Sequence, residues 1–525
     1  MNTLKTQPVR GLDESGLGRT AASSASDTET HFSTDHLLSD LKRHTISGGL
    51  FTGSAQVAKF LLYLGSTVVL ARLLTPRDFG LVAMVTAVTG FLTILRHAGL
   101  ATPTMQCEHI TQAQVSNLFW VNLAVSGMCT LIAAALAPVL AWFYHDSRLV
   151  AITLALSMTF LIGGFRVQHL ALLRRQLRFK ALAIIDVGSM ALGVAVAIIM
   201  ALMRFGYWSL VGLNLATELG SFILTGSISR WRPQWPSRRS GVGPLLSFGA
   251  SVAASSFIGY LSSSVDSVLI GWRYGANSVG LYSRAVALLA RPIEQLMYPI
   301  SSVFVPALAR LQSNPARYRR AFLLTYEAIA VVTFFCTSII FALAHPLTLV
   351  LLGRKWERTA DIFACFTIVA LIRPLVMGAY WLLTTQARGR SMIITTSILS
   401  ISSIVSFIAG LPFGPTGVAI AFSISGLIIR LPVIYYTCGR TGPVRTADLW
   451  GIFLRHLPLW IFVFVATYVT RIVVSHEIPL IQLFICMPVG LLAGAAFIWS
   501  VPAERAIVIY LLTSLHALKR QTRFN

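Results

Sequence analysis

Apolar stretches of about 20 residues, the length that a helix needs to cross a bilayer, recur along almost the whole chain. They constrain the fold more than any other feature. Within the hydrocarbon core of a membrane, the backbone needs a helix or a closed barrel to satisfy its hydrogen bonds. Only 12% of the 525 residues are charged, whereas a soluble domain carries about a quarter. The sequence therefore predicts an all-α polytopic membrane protein.

About fourteen transmembrane helices follow from this pattern, with both termini on the cytoplasmic side. Basic residues favour cytoplasmic loops, and this orientation places RRQLRFK (174–180), RWRPQWPSRR (230–239) and RYRR (317–320) there. The predicted spans are 46–72, 79–102, 115–141, 149–170, 181–203, 207–229, 245–272, 278–305, 321–344, 359–385, 391–411, 415–438, 456–474 and 478–500.

The two halves of the chain resemble each other. When the chain is shifted so that Gly80–Leu81 aligns with Gly280–Leu281, Ser47, Gly49, Leu61, Val68 and Ala87 also find identical partners. Six spans separate the matched units, so both copies face the same way, as in parallel transporter repeats. The expected fold is two parallel six-helix lobes around a central cleft plus a C-terminal helical hairpin. The predicted divisions are a disordered cytoplasmic tail (1–45), the first lobe (46–229), a linker (230–244), the second lobe (245–438), a linker (439–455), the hairpin (456–500) and a cytoplasmic tail (501–525).

Ionisable residues inside the spans carry the functional signal, because a charge at a helix centre costs at least a few kcal/mol and normally faces a wet cavity or a partner. Cations predominate, which suits an anionic ligand, and arginine offers a planar fork for phosphate oxygens. The predicted substrate-binding residues are Arg291, Lys59, Arg284, Arg96 and Arg373. The candidate ion-coupling residues are Asp266, Glu218 and Glu294.

Several of these charges have a competing structural interpretation. Asp266 and Arg284 lie at similar depth on either side of a turn, which favours a structural ion pair. Glu294 lies one turn beyond Arg291 and is expected to orient it. Arg291 and Lys59 either bind ligand or form ion pairs that gate the cleft, and Arg96 either binds ligand or snorkels to the cytoplasmic face. Arg430, beside Pro432, is expected at the membrane interface.

Other classes of function find little support in the sequence. The net charge of +23 lies mostly in short loops, where it sets orientation and meets anionic lipid, so we expect no nucleic-acid partner. The six cysteines and eleven histidines show no metal-ligand spacing. There is no catalytic constellation, so we expect neither an enzyme nor a cofactor.

Three blocks resemble Wzx-type polysaccharide exporters of the multidrug/oligosaccharidyl-lipid/polysaccharide superfamily. LARLLTPRDFGLVAMV (70–85) is similar to the family's turn between the first two helices. SSVFVPALARLQSNPARYRRAF (301–322) and ALAHPLTLVLLGRKWERTADIF (342–363) are similar to two later blocks. The resemblance covers about residues 40–440 and is strongest to the exopolysaccharide and lipopolysaccharide branch that includes the colanic acid exporter.

The resemblance implies a flippase in the bacterial inner membrane. Such a protein moves undecaprenyl-diphosphate-linked oligosaccharide repeat units from the cytoplasmic to the periplasmic leaflet by alternating access. The implied partners are the lipid-linked oligosaccharide, membrane lipids and a polysaccharide polymerase or export complex, and the coupling ion is H⁺ or Na⁺. The alternatives are a drug/cation antiporter of the same superfamily, which would need acidic groups in the cleft, and a membrane glycosyltransferase or polymerase.

Overall fold

A computed structural model describes residues 41–98, 101–106, 110–229, 231–237, 243–502 and 504–509. The predicted tail 1–45 therefore lies almost wholly outside the described residues, as does most of the tail 501–525. The α-helices are α1 (Leu41–Leu73), α2 (Pro76–Ala98), α3 (Ala101–Gln106), α4 (Gln112–Tyr144), α5 (Arg148–Arg175), α6 (Phe179–Leu202), α7 (Trp208–Ile228), α8 (Gly243–Ala309), α9 (Pro315–Ala342), α10 (Ala344–Leu352), α11 (Glu357–Thr385), α12 (Gly389–Gly410), α13 (Gly414–Ser425), α14 (Leu431–Gly439), α15 (Thr446–Val473) and α16 (Pro479–Ser500).

These helices confirm the predicted polytopic all-α fold. Ten stretches of the described chain are long and apolar enough to cross a membrane. One of them, Gly389–Gly439, holds two antiparallel helices, because the chain reverses at Leu411–Phe413 and Phe407 stacks on Phe422 across the reversal. The two more polar elements, α2 and α8, pack against each other. With α8 counted as two arms, the described chain contains fourteen membrane-length segments.

Helix α8 is a hairpin whose two arms, 243–274 and 276–309, meet at Gly275. The backbone of Gly275 adopts φ 75° and ψ −178°, a conformation that costs glycine little because it lacks a Cβ. The arms run antiparallel, since the Tyr282 hydroxyl in the second arm donates to Asp266 Oδ2 in the first at 2.9 Å. The sequence prediction of two spans here, 245–272 and 278–305, matches these arms.

The two halves of the chain meet along α2 and α8, and the predicted repeat is visible in their contact. A Cβ on Gly80 would lie 1.6 Å from the carbonyl oxygen of Ala276, and one on Gly280 would lie 1.8 Å from that of Pro76. The repeat that aligns Gly80 with Gly280 also aligns Pro76 with Ala276. The contact between the two halves, which we call the seam, therefore has a local pseudo-twofold symmetry. Only glycine permits so close an approach of the two backbones.

The seam is sealed at the end of the molecule that holds the α1–α2 turn and Gly275, which the predicted orientation places outside. The Trp356 indole, fully buried, donates from Nε1 to the carbonyl oxygen of Ala71 at 2.9 Å and packs edge-on against Phe79. Arg72 donates from Nη2 to the carbonyl oxygen of Val350 at 2.7 Å. Through these contacts the LLGRKW block (351–356) and Val350 hold the second lobe against the end of α1. We therefore assign this block to closure of the seam and not to ligand binding.

The C-terminal hairpin of α15 and α16 packs on α9 of the second lobe. Arg455 of α15 donates to Glu327 of α9 at 2.6 Å. His456, fully buried, lies 2.5 Å from Glu504, which follows α16. Helix α15 begins well before the predicted span 456–474, because Thr446 to Arg455 continue the helix out of the apolar stretch.

Candidate functional site

Three charged residues form the seam cluster: Arg291 and Glu294 from the second arm of α8, and Arg373 from α11. Glu294 bridges the two arginines, with Arg291 Nη1 at 3.6 Å from one carboxylate oxygen and Arg373 Nη2 at 2.9 Å from the other. The predicted orientation of Arg291 by Glu294 is therefore observed. The Arg291 side chain remains 58% exposed, so this pair leaves most of its guanidinium accessible.

The seam cluster faces α1 of the first lobe. The Arg291 guanidinium carbon lies 5.8 Å from the centre of the Tyr63 ring, and Gln295 is hydrogen-bonded to Gln56. Gln56, Lys59 and Tyr63 recur at helical spacing and so share one face of α1. Lys59 and Arg291 lie about 21 Å and about 24 Å along their helices from the sealed end of the seam, well inside the membrane-length segments.

Lys59 forms an ion pair with Asp186 of α6, its Nζ lying 3.1 Å from Oδ2. Both side chains are partly exposed, so the pair leaves each charged group open to a further contact. Asp186 is absent from the predicted site residues. It nevertheless interrupts the apolar stretch ALAIIDVGSM and is, like them, an ionisable residue inside a predicted span.

Arg284 does not pair with Asp266, so the predicted ion pair is wrong. Its guanidinium instead covers the ring of Phe79 in α2, with the carbon 4.6 Å from the ring centre. The reason is rotational. Tyr282 faces Asp266, and a residue two positions further along a helix points roughly 200° away. Arg284 therefore faces the first lobe and lies in the seam.

Arg96, Arg166 and Glu218 form a first-lobe triad contributed by α2, α5 and α7. Glu218 lies 3.4 Å from Arg96 Nη2 and 2.7 Å from Arg166 Nη2. Arg96 is only 3% exposed and also donates from Nη1 to the carbonyl oxygen of Thr159 at 2.6 Å. The expectation that Arg96 snorkels is wrong. Sequence reasoning missed Arg166, which interrupts an apolar stretch as Asp186 does.

Asp266 is buried and hydrogen-bonded to Tyr282 and to the backbone nitrogen of Ser267. Among the described residues, no basic side chain lies within ion-pair distance of it.

Arg430 is not interfacial. It covers Phe422 at 3.6 Å and lines a cavity in the second lobe that Asp266 and Arg373 also reach.

The structure thus divides the predicted site residues among separate places. Arg291, Glu294 and Arg373 meet directly, and Lys59 and Arg284 lie in the same seam between the lobes. Arg96 and Glu218 belong to the first-lobe triad, and Asp266 lies within α8. We name Lys59, Arg284, Arg291 and Arg373 the seam cations and Asp186 and Glu294 the seam carboxylates.

A two-lobed bundle with charged groups in the seam between its lobes defines a multi-pass membrane protein of the transporter type. The chain belongs to the family described as "Polysaccharide biosynthesis protein", whose model matches residues 69–361. This match confirms the family inferred from the three sequence blocks.

The relatives include proteins of bacterial polysaccharide synthesis. The chain is 23% identical over 451 residues to the lipopolysaccharide biosynthesis protein WzxC of Escherichia coli (strain K12), covering 83% of this chain and 90% of that protein. It is 24% identical to the teichuronic acid biosynthesis protein TuaB of Bacillus subtilis (strain 168), covering 64% and 70%. It is 26% identical to the succinoglycan biosynthesis transport protein ExoT of Rhizobium meliloti (strain 1021), covering 60% and 66%.

Solved structures show the same fold. The lipid II flippase MurJ in an inward closed conformation superposes with a TM-score of 0.67 at 14% identity, covering 87% of this chain and 99% of that one. A multidrug resistance MATE family transporter of the MOP superfamily, in an inward-facing conformation, superposes with a TM-score of 0.54 at 15% identity, covering 77% and 99%. The predicted architecture of two six-helix lobes and a terminal hairpin is therefore confirmed.

Proposed function

We propose that this protein is a flippase that moves polyprenyl-diphosphate-linked oligosaccharides across the bacterial inner membrane, from the cytoplasmic to the periplasmic leaflet. Its termini would then lie in the cytoplasm. The family and the names of the relatives support this proposal. The observation that carries it is the accessible Arg291, held deep in the membrane between the two lobes.

The charge balance of the seam fits a diphosphate. The four seam cations outnumber the two seam carboxylates by two charges, and a diphosphate linked at both ends carries one negative charge on each phosphate. Arginine binds phosphate oxygens through two parallel hydrogen bonds. A diphosphate entering the seam would bind the accessible sides of Arg291 and Arg373 while Glu294 keeps its contacts with both. Neither the arginines nor Glu294 would then be left as an unpaired charge in the membrane.

The contacts between the lobes support alternating access. Trp356, Arg72 and the Gly80–Gly280 contact close the outer end. Opening that end requires the second lobe to move away from α1 and α2, which breaks these contacts together. The Gln56–Gln295 hydrogen bond joins the lobes nearer the inner end, and its rupture would open the cleft to the cytoplasm.

We infer that Asp266 is the first residue to test for ion coupling. Glu218 and Glu294 each contact two arginines, one through each carboxylate oxygen. Asp266 has only hydrogen-bond donors around it among the described residues. H⁺ and Na⁺ both fit a carboxylate with hydroxyl neighbours. A polysaccharide polymerase beside the exporter is the partner that such a transport step would feed.

Arg291 provides the test of the site. Purified protein in liposomes is supplied with a fluorescent polyprenyl-diphosphate oligosaccharide, and its transbilayer movement is measured. We expect Arg291→Ala to lower the rate by about tenfold or more, the loss of one charge-assisted contact. We expect Arg291→Lys to be nearly as slow, because lysine cannot form the planar fork.

Arg319→Ala is the matched control. Arg319 is also a partly exposed arginine in an ion pair, with Asp448 at 2.7 Å, but it lies at the start of α9, outside the seam. It should transport normally. Normal transport by Arg291→Ala would show that the seam cluster does not bind substrate.

The drug/cation antiporter is the weaker alternative. The MATE family transporter shares the fold, but an organic cation needs unpaired acids in the cleft, and both seam carboxylates here are paired with bases.

A further inference from the structure

The second lobe contains a cavity of about 500 Å³ bounded by α8, α11, α12 and α13. Its size falls within the range of small-molecule pockets, about 300–1,000 Å³. Its lining combines aromatic rings with polar groups, which include Arg373, Tyr380, Ser403, Phe422 and Arg430. A pocket with this composition inside a membrane-embedded lobe is not accounted for by the seam cluster alone.

Helix α12 shows that the cavity is an interior feature of the lobe. Thr396, Ser400 and Ser403 share one face of the helix and line the cavity. The opposite face is apolar and exposed, where a membrane would contact it; its residues are Ile394, Ile398, Ile401, Val405 and Ile408. Polar groups turned away from lipid and towards a cavity mark a ligand or ion path in membrane proteins.

The lining suits a sugar ring better than a phosphate or a lipid chain. Phe407 and Phe422, whose rings stack 4.9 Å apart, contribute apolar ring edges to the cavity wall. The Tyr380 and Thr396 hydroxyls, 2.9 Å apart, and the Arg430 guanidinium provide hydrogen-bonding groups. A sugar has apolar C–H faces and a rim of hydroxyls, so it can use both kinds of surface.

Other occupants find weaker complementarity. A phosphate would meet Arg373 and Arg430 but also the Asp266 carboxylate, which lines the same cavity and offsets one of the two positive charges. A polyprenyl chain could form no hydrogen bond with the lining hydroxyls or the Arg430 guanidinium, so it would match this polar surface less well than a sugar. The neighbouring cavity of about 370 Å³, between α8, α9 and α11, is lined almost wholly by apolar side chains and lacks this polar character.

Arg373 connects the cavity to the seam, since it lines the cavity and pairs with Glu294 of the seam cluster. In a polyprenyl-diphosphate oligosaccharide, the first sugar is bonded directly to the diphosphate. We propose that the second-lobe cavity binds this first sugar ring while Arg291 and Arg373 hold the diphosphate. The proposal rests on the proposed function and assigns the cavity the role of recognising the glycan.

Filling the cavity tests the proposal. Ser403→Phe places a ring in the cavity, and Ile401→Phe, on the exposed face of the same helix, is the matched control. Tyr380→Phe removes one hydroxyl with little change in shape. The probes are polyprenyl diphosphate and the same lipid carrying one glucose, and their affinities for the purified full-length protein are measured by microscale thermophoresis.

We expect the wild type and Ile401→Phe to bind the glucose-bearing lipid about tenfold more tightly than the bare diphosphate, the effect of one or two added hydrogen bonds. Ser403→Phe should bind both lipids within about twofold of each other, with its affinity for the bare diphosphate unchanged. Tyr380→Phe should lose about threefold for the glucose-bearing lipid only.

Equal affinity of the wild type for the two lipids would overturn the proposal and leave the proposed function standing. Retained discrimination in Ser403→Phe would also overturn it, as would an equal loss for both lipids. A wild type that binds neither lipid would contradict the proposed function itself.

Discussion

Gly280→Ala should force the outer end of the seam open. The added Cβ would lie 1.8 Å from the carbonyl oxygen of Pro76, whereas real Cβ contacts are essentially never below 3.0 Å. The two backbones must therefore separate until this contact reaches at least 3.0 Å. The nearest atoms belong to the backbone, so no side-chain rotation relieves the clash.

The cost to the closed state follows from this overlap. Overpacking a well-packed site costs about 1–3 kcal/mol, and a packed interface responds by changing state rather than by deforming continuously. If the open-outward state is spared this cost, the ratio of closed to open molecules falls by about 5- to 150-fold.

Double electron–electron resonance in a cysteine-free background measures this shift. Labels at Met203 and Phe413, which are exposed in the outer turns of the two lobes, should show a longer distance in Gly280→Ala. Gly127→Ala is the control, because its Cβ meets nothing within 4 Å. An unchanged distance distribution in Gly280→Ala, with the protein folded, would refute the assignment of this contact as the outer closure.

Two further predictions follow from the buried polar contacts. Trp356→Phe removes the hydrogen bond to Ala71, which contributes about 1 kcal/mol. The same spin-label distance should therefore lengthen in part of the population. An unchanged distance distribution would argue that this bond does not hold the lobes together. Glu218→Gln removes the carboxylate that pairs with Arg96 and Arg166. It should destabilise the first lobe by about 3–5 kcal/mol, which would lower the thermal unfolding temperature. An unchanged unfolding temperature would contradict the structural role of the triad.

The spans and the repeat could be predicted from the sequence because both depend on one-dimensional patterns. An apolar stretch of bilayer length has only one common fold, and the paired Gly80 and Gly280 mark the same turn in each half. The predicted helix ends lie within about six residues of those observed, except at the start of α15, which continues beyond its apolar stretch. Hydropathy cannot report that continuation.

The site could be predicted only in part, because pairing depends on how each helix is rotated. Depth along the helices could be predicted for Arg291 and Lys59, because it follows from the rise per residue alone. Depth alone also suggested the Asp266–Arg284 pair, which the rotation of the second arm of α8 prevents. Asp186 and Arg166 were detectable by their charge, but each pairs with a residue on a helix that is distant along the chain, and no local pattern bridges such a separation.

The most direct test of the central claim is transbilayer movement by the wild-type protein. Liposomes containing purified protein and a fluorescent polyprenyl-diphosphate oligosaccharide are treated from outside with a glycosidase that cannot cross the bilayer, with H⁺ and Na⁺ gradients imposed in turn. We predict that cleavage, limited to the outer leaflet in protein-free liposomes, proceeds to nearly all of the lipid when the protein is present. Cleavage that stops at the protein-free level under every gradient would contradict the account.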